Sequence, residues 1–123
     1  MKTALIIEDN PDNMELISFI LKKGGYEILK AETGEEGVEM TLKELPDFVI
    51  LDIQLPGIDG YEVLHRIRKS ELDGSIPIIA VTSYAMSGDR ERLLEAGCNG
   101  YIEKPIEPGK FIDQIREAIE NKS

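Results

Sequence analysis

Short apolar stretches alternate along the chain with longer segments in which apolar residues recur every three or four positions. The apolar stretches are residues 4–7, 26–31, 48–51, 76–81 and 100–102. Three of these stretches are almost continuously apolar, which is typical of parallel strands covered on both faces. Residues 26–31 include Glu27 and Lys30, so this strand is predicted to lie nearer an edge of the sheet.

A segment with helical spacing follows each predicted strand. The first helix is predicted to begin at Pro11 and to end before Gly24, because proline favours the first turn and glycine follows the last. The second helix begins at the capping-box sequence from Thr33 to Glu36. The other three carry apolar residues at Val63, Leu64 and Ile67, at Leu93 and Leu94 before Gly97, and at Phe111, Ile112, Ile115 and Ile119.

Five strand–helix alternations with short connections predict an α/β fold with an open parallel sheet and right-handed crossovers. The length of 123 residues is that of one domain, and the sequence contains no internal repeat, low-complexity tract or linker. The last predicted helix runs almost to Ser123. We therefore expect one domain that covers residues 1–123.

The charge of the chain is strongly negative, with 24 acidic and 14 basic residues and a formal net charge of −10. This balance disfavours binding to nucleic acid or to an anionic membrane, because both attract basic surfaces. No stretch has the length of a membrane span or of a signal peptide. The single cysteine, Cys98, cannot form an internal disulfide and is expected to be a small buried residue. These features predict a cytoplasmic protein.

Polar residues stand at the ends of four predicted strands: Glu8 and Asp9, Asp52, Thr82 with Ser83, and Lys104. In an open parallel sheet these ends share one edge, where ligands bind. Three carboxylates at one edge repel each other, and a hard cation such as Mg²⁺ relieves that repulsion. A carboxylate beside a metal and a lysine can act as a nucleophile toward phosphorus.

Each of these residues taken alone has a simpler interpretation. Asp9 could cap the helix that begins at Pro11, Asp52 could belong to a surface turn, and Lys104 could be solvated. Their occurrence at successive strand ends favours a shared site.

Four blocks of sequence resemble the receiver domains of two-component response regulators, in particular the single-domain CheY-like and DivK-like members. The blocks are residues 6–10 (IIEDN), 51–60 (LDIQLPGIDG), 80–85 (AVTSYA) and 101–105 (YIEKP). The resemblance covers essentially the whole chain. It implies a flavodoxin-like, doubly wound sheet of five parallel strands in the order 2-1-3-4-5, with five helices.

The resemblance also implies roles for individual residues. Asp52 would accept a phosphoryl group from a histidine kinase or a His-containing phosphotransfer protein. Asp9, Asp52 and the backbone carbonyl of Gln54 would bind Mg²⁺, and Glu8 would act through a coordinated water. Lys104, in a loop with a cis peptide bond to Pro105, would pair with the phosphoryl oxygens.

The same resemblance implies a switch. Thr82 would move toward the phosphoryl group and Tyr101 would swing inward, and partners would bind the face of the fourth helix, fifth strand and fifth helix. Gln54 and Tyr84 occupy positions that tune hydrolysis of the acyl phosphate in the family. Neither is an obvious base, so we expect a moderately long-lived phosphorylated form. We expect a monomer, or a weak dimer that forms on phosphorylation.

Three alternatives remain at this stage. The chain could be a receiver domain taken from a larger regulator or hybrid kinase. An aspartyl-phosphate phosphatase would need a second acid two residues after Asp52, where Gln54 stands. A flavin- or nucleotide-binding domain would need a phosphate-binding loop after the first strand, where the acidic sequence from Glu8 to Pro11 stands. We therefore predict a signalling protein that catalyses only its own phosphorylation and dephosphorylation.

Overall fold

Strands and helices alternate from one end of the chain to the other. The computed structural model describes residues 2–70, 76–83 and 89–120. The elements are β1 (Thr3–Ile7), α1 (Pro11–Lys23), β2 (Glu27–Ala31), α2 (Gly34–Glu44), β3 (Phe48–Asp52), α3 (Gly60–Ser70), β4 (Ile78–Thr82), α4 (Asp89–Ala96), β5 (Gly100–Glu103) and α5 (Pro108–Glu120). Tyr84 lies outside the described residues, so its effect on hydrolysis stays a prediction. Across the described ranges, none of the helices combines the length and the apolar character that a membrane span needs.

The five strands form one parallel sheet in the order β2-β1-β3-β4-β5. This confirms the predicted doubly wound fold, and β2 lies at an edge as its mixed composition indicated. The chain passes from β1 outward to β2 and then returns to place β3 on the other side of β1. Such a reversal opens a crevice at the carboxyl ends of the two strands, which are here β1 and β3.

Alternate residues of the strands fill two apolar cores, one on each face of the sheet. Ile6 and Ile50 pack with α1 and α5, whereas Leu5 and Leu51 pack with α3 and α4. All five residues of β3 are buried, as expected of a central strand covered on both faces. The position of the most apolar strand at the centre places its last residue, Asp52, in the middle of the carboxyl edge.

Cys98 belongs to the second of these cores. Its side chain is buried, and burial raises the pKa of its thiol to about 12, with Arg68 opposing that shift. Because the thiolate is the reactive form of cysteine, the side chain is inert at neutral pH. The prediction of a small buried residue is confirmed.

Three strands end one residue later than their apolar runs predicted, namely β3, β4 and β5, of which β5 ends at Glu103. Asp52 and Thr82 are the last residues of β3 and β4, because the backbone ladder continues through the pairing of Asp52 with Val81 and of Thr82 with Glu103. In contrast, the predicted start of the fourth strand at residue 76 was wrong. Pro77 has no N–H to donate to a sheet, and β4 begins after it at Ile78.

The ends of the first two helices follow their sequence signals. Asn10 caps α1, since its side chain accepts a hydrogen bond from the Asn13 N–H at 3.0 Å. Asp9 is therefore not the cap of this helix. Thr33 caps α2 by accepting from the Glu36 N–H at 3.1 Å, as the capping-box sequence predicted.

Helix α4 ends at Ala96 and is followed by Gly97, whose φ of +117° is a conformation that favours glycine. Leu93 is buried under this helix, whereas its neighbour Leu94 is 42% exposed. Adjacent residues of a helix point about 100° apart, so the two leucines cannot both face the sheet. Leu94 therefore lies on the surface.

Candidate functional site

Three carboxylates meet in the crevice between β1 and β3. Oxygen atoms of Glu8, Asp9 and Asp52 all lie within 4.8 Å of one another. Glu8 and Asp52 are only 1% and 3% exposed, whereas Asp9 faces solvent. Two buried acids and one exposed acid in contact form an open cluster of negative charge, which the strand ends predicted.

Lys104 supplies the positive charge that faces this cluster. Its Nζ lies 3.4 Å from Asp52 Oδ1 and 3.7 Å from Glu8 Oε1. The Lys104 N–H donates to the Thr82 carbonyl at 2.8 Å, and the peptide bond to Pro105 is cis. The loop after β5 is therefore held against the end of β4, and its lysine lies over both buried acids.

The surroundings of Glu8 are the most unusual in the site. Burial, followed by the neighbouring Asp52 carboxylate, raises the pKa of Glu8 to about 7, against the effects of the Asn10 N–H and of Lys104. Glu8 Oε2 accepts a hydrogen bond from the Asn10 N–H at 3.2 Å, but the buried Oε1 accepts none from the part of the chain that the structure describes. A buried acceptor without a donor is costly.

This donor set fits a hard divalent cation. Among the described residues the cluster offers carboxylate oxygens, and none of those residues donates a hydrogen bond to the buried Oε1 of Glu8. Oxygen ligands of this kind, completed by water, suit Mg²⁺ better than zinc or other soft metals. The residues present are therefore compatible with a magnesium ion at this edge.

The loop after Asp52 folds back tightly onto β3. Asp52 Oδ1 accepts the Gln54 N–H at 3.0 Å, and the Gly60 N–H donates to the Ile53 carbonyl at 3.0 Å. A Cβ atom at Gly60 would lie 2.5 Å from the Ile53 Cα, so only glycine fits at this close approach. The loop therefore orients one oxygen of Asp52 through its own backbone.

The Gln54 side chain links the loop after β3 to the end of β4. Its Nε2 donates to Thr82 Oγ1 at 3.5 Å, and its Oε1 accepts from Ser83 Oγ at 2.9 Å. Sequence reasoning assigned Gln54 only a backbone carbonyl and an effect on hydrolysis. Gln54 and Ser83 are 29 residues apart, so the sequence does not indicate that they are in contact. Their polar character is the only feature of the sequence that is consistent with this bridge.

Thr82 and Tyr101 occupy different parts of the molecule. Thr82 is buried at the end of β4, one residue beyond the partner of Asp52 in the ladder. Tyr101 is half-buried in β5, where it pairs with Ala80 and packs at the margin of the second core. The structure thus brings Thr82 to the edge that holds Asp52 and places Tyr101 on the flank toward α4 and α5. The use of the Gln54 carbonyl as a ligand stays a prediction.

Comparison with known proteins identifies the group to which this arrangement belongs. The sequence profile of the response regulator receiver domain matches residues 4–116. The chain belongs to this family. As a receiver domain it is a component of two-component signalling, in which such domains interact with histidine kinases or phosphotransfer proteins.

Relatives of similar length share much of its sequence. The receiver domain is 40% identical to the polar-differentiation response regulator DivK of Brucella ovis over 118 residues, which are 96% of each chain. It is 39% identical to the DivK protein of Brucella anthropi over the same shares.

Solved structures also match it closely. The receiver domain of a sensor histidine kinase from Pseudomonas aeruginosa, solved with a magnesium ion in the active-site cleft, has a TM-score of 0.87 and 34% identity, covering 97% of this chain and 98% of that one. A CheY-like receiver domain from Methanospirillum hungatei has a TM-score of 0.87 and 32% identity, covering 98% and 94%.

Proposed function

We propose that this receiver domain accepts a phosphoryl group on Asp52, in a reaction that depends on Mg²⁺, and then signals by binding other proteins. The observation that carries the proposal is the position of the Lys104 ammonium between the Asp52 and Glu8 carboxylates, beside Asp9. A carboxylate held between a fixed cation and a cluster of oxygen ligands has the surroundings that phosphoryl transfer needs.

The chemistry assigned to Asp52 is nucleophilic. A carboxylate oxygen forms a bond to phosphorus while the bond from phosphorus to a histidine nitrogen of the donor breaks, which leaves an acyl phosphate and a free imidazole. Lys104 offsets negative charge on the phosphoryl oxygens. The Gln54 N–H, which donates to Asp52 Oδ1, holds the carboxylate in one orientation.

Asp9, Asp52 and the backbone carbonyl of Gln54 are the proposed ligands of Mg²⁺, with Glu8 acting through water. When bound, the ion supplies positive charge to the phosphoryl oxygens and relieves the repulsion among the carboxylates. Two findings support this assignment: Glu8 Oε1 accepts no hydrogen bond from the described residues, and the similar receiver domain from Pseudomonas aeruginosa holds magnesium in its active-site cleft.

The proposed donor of the phosphoryl group is a histidine kinase or a phosphotransfer protein. The proposed binding surface for downstream partners is formed by α4, β5 and α5. Phosphorylation adds nearly two negative charges, and it favours whichever arrangement of Thr82 and Tyr101 contacts the new oxygens better. Gln54 stands where a phosphatase would need a second acid, and its side chain is bonded to Thr82 and Ser83. We therefore expect catalysis of its own phosphorylation and dephosphorylation alone.

The test uses acetyl phosphate and Mg²⁺ with the matched variants Asp52→Asn and Asp47→Asn, which remove one charge from opposite ends of β3. We expect wild-type protein and the Asp47 variant to gain one hydroxylamine-sensitive phosphoryl group by intact mass, and the Asp52 variant to gain none. Labelling that survives Asp52→Asn would disprove the proposal. Decay of the labelled wild type within seconds would contradict a long-lived phosphorylated form.

A further inference from the structure

A second concave surface lies between α4, β5 and α5, away from the acidic edge. It is a cavity of about 550 Å³, lined by side chains that include Leu94, Tyr101, Glu103, Gln114 and Glu117. This volume is within the range of ligand-binding clefts and is large enough for several side chains. We refer to it as the output cavity.

The polar groups of the output cavity are mainly hydrogen-bond acceptors. Glu103 and Glu117 contribute carboxylates, and both side chains are exposed. No lysine or arginine is found among the described residues that line it. The described lining of the cavity therefore presents negative charge, on a protein whose formal net charge is −10.

The side-chain oxygen of Asn99, which also lines the cavity, is already used within the fold. Its Oδ1 accepts the Ile78 N–H at 2.8 Å and an N–H of Arg68 at 3.0 Å. Arg68 also donates to the Gly97 carbonyl at 2.8 Å, so its guanidinium holds the turn after α4. Arg68 therefore donates to acceptors of the fold itself, at Gly97 and Asn99.

An apolar anchor stands beside these acceptors. Leu94 is 42% exposed at the cavity, although large apolar residues are costly to leave in water. Leu93, the next residue along α4, is buried. An exposed leucine beside two exposed carboxylates is complementary to a surface that combines a cation with an apolar side chain.

We propose that the output cavity receives an arginine or lysine side chain from a partner protein, while Leu94 contacts an apolar residue next to that cation. The proposal rests on the signalling function proposed above and specifies the chemistry of its downstream partner. The partner's cation donates hydrogen bonds to the exposed carboxylates of Glu103 and Glu117 and offsets their negative charge. The acidic surface of the whole domain accelerates the approach of a basic partner.

The test measures binding of three labelled amphipathic peptides by fluorescence anisotropy, with protein phosphorylated by acetyl phosphate and Mg²⁺. The peptides share one leucine stripe and carry arginine, glutamine or glutamate beside it. We expect the arginine peptide to bind about fivefold more tightly than the glutamine peptide, and that preference to disappear in Glu117→Gln. Glu39→Gln removes an exposed charge from α2 and is expected to leave the preference intact.

Charge reversal sharpens the same experiment. We expect the double variant Glu103→Lys/Glu117→Lys to prefer the glutamate peptide. In the wild type, we expect the arginine peptide to shift the amide signals of Gly100, Glu103 and Glu117 most. Equal affinity for the arginine and glutamine peptides, or shifts concentrated elsewhere, would overturn the proposal.

Two further results separate this inference from others. If Glu103→Lys/Glu117→Lys abolishes a dimer of the phosphorylated chain in light scattering, the occupant is a second copy and the proposed partner is wrong. Labelling of Asp52 is measured in the same samples. Normal labelling without peptide discrimination would reject the basic partner and leave the proposed phosphoryl-acceptor function standing.

Discussion

Asp47 and Asp52 lie at opposite ends of β3, and their side chains differ in burial and in the charges around them. Asp47 precedes β3, is exposed, and ties two strands together by accepting the Thr3 N–H at 2.7 Å. Its own N–H donates to the Thr3 carbonyl at 2.8 Å. Asp52 ends β3, is 3% exposed, and lies among Glu8, Asp9 and Lys104.

The two aspartates differ in what their charges do for the fold. Asp47 lines the amino-terminal edge beside Lys2 and Arg116, where charges of both signs are present. At the carboxyl edge three acids face one lysine, and two of those acids are buried. Burying like charges together lowers stability, and such clusters with displaced pKa values mark functional sites.

The largest expected effect that separates the two edges is a dependence of stability on pH. The pKa of Glu8 is about 7 in the folded protein, whereas its ordinary value is 4.5. Between pH 4.5 and 7 the folded protein therefore holds a proton on Glu8 that the unfolded chain has lost. The free energy of unfolding should therefore fall as pH rises from about 4.5 to 7, by on the order of 3 kcal/mol. Urea denaturation in EDTA at several pH values measures it.

Variants separate the effect of Glu8 on stability from the general charge repulsion of an acidic protein. Glu8→Gln should lose most of the fall, whereas Asp47→Asn should retain it. Saturating Mg²⁺ should reduce the fall in the wild type, because a bound cation favours ionised carboxylates. A slope in Glu8→Gln equal to that of the wild type would remove Glu8 as the cause.

The next effect is on the affinity for magnesium. Asp9→Asn removes one charge from the three-carboxylate cluster, and we expect affinity for Mg²⁺ to fall by about tenfold, since ligand charge sets affinity at oxygen sites. Titration followed by amide shifts measures the change. Asp47→Asn removes the same charge from the other edge and should bind Mg²⁺ as the wild type does. Equal weakening by both variants would indicate a general charge effect.

The smallest expected effects are opposite changes in stability at the two ends of β3. In EDTA, Asp52→Asn should raise the free energy of unfolding by about 1 kcal/mol, because it relieves repulsion among buried acids. Asp47→Ala should lower it by about 1 kcal/mol through loss of the hydrogen bond to Thr3. Circular dichroism in urea follows both. Changes of the same sign would contradict the contrast drawn between these residues.

Local patterns predicted much of the fold because the relevant forces act over short distances along the chain. Continuous apolar runs predicted the central strands, and the capping sequence at Thr33 predicted the start of α2. The start of the fourth strand at residue 76 was predicted wrongly for a local reason, because Pro77 has no N–H to donate to the sheet.

The sequence alone determined the alternation of strands and helices, the position of polar residues at strand ends and the family resemblance. Only the tertiary structure decided which side-chain atoms meet. Lys104 reaches Asp52, and Gln54 bridges to Thr82 and Ser83, across strands that are distant in sequence. It also decided that Asp52 is buried within an acidic cluster and Asp47 is not. Both aspartates adjoin the same apolar strand, and their difference arises from neighbours contributed by other segments of the chain.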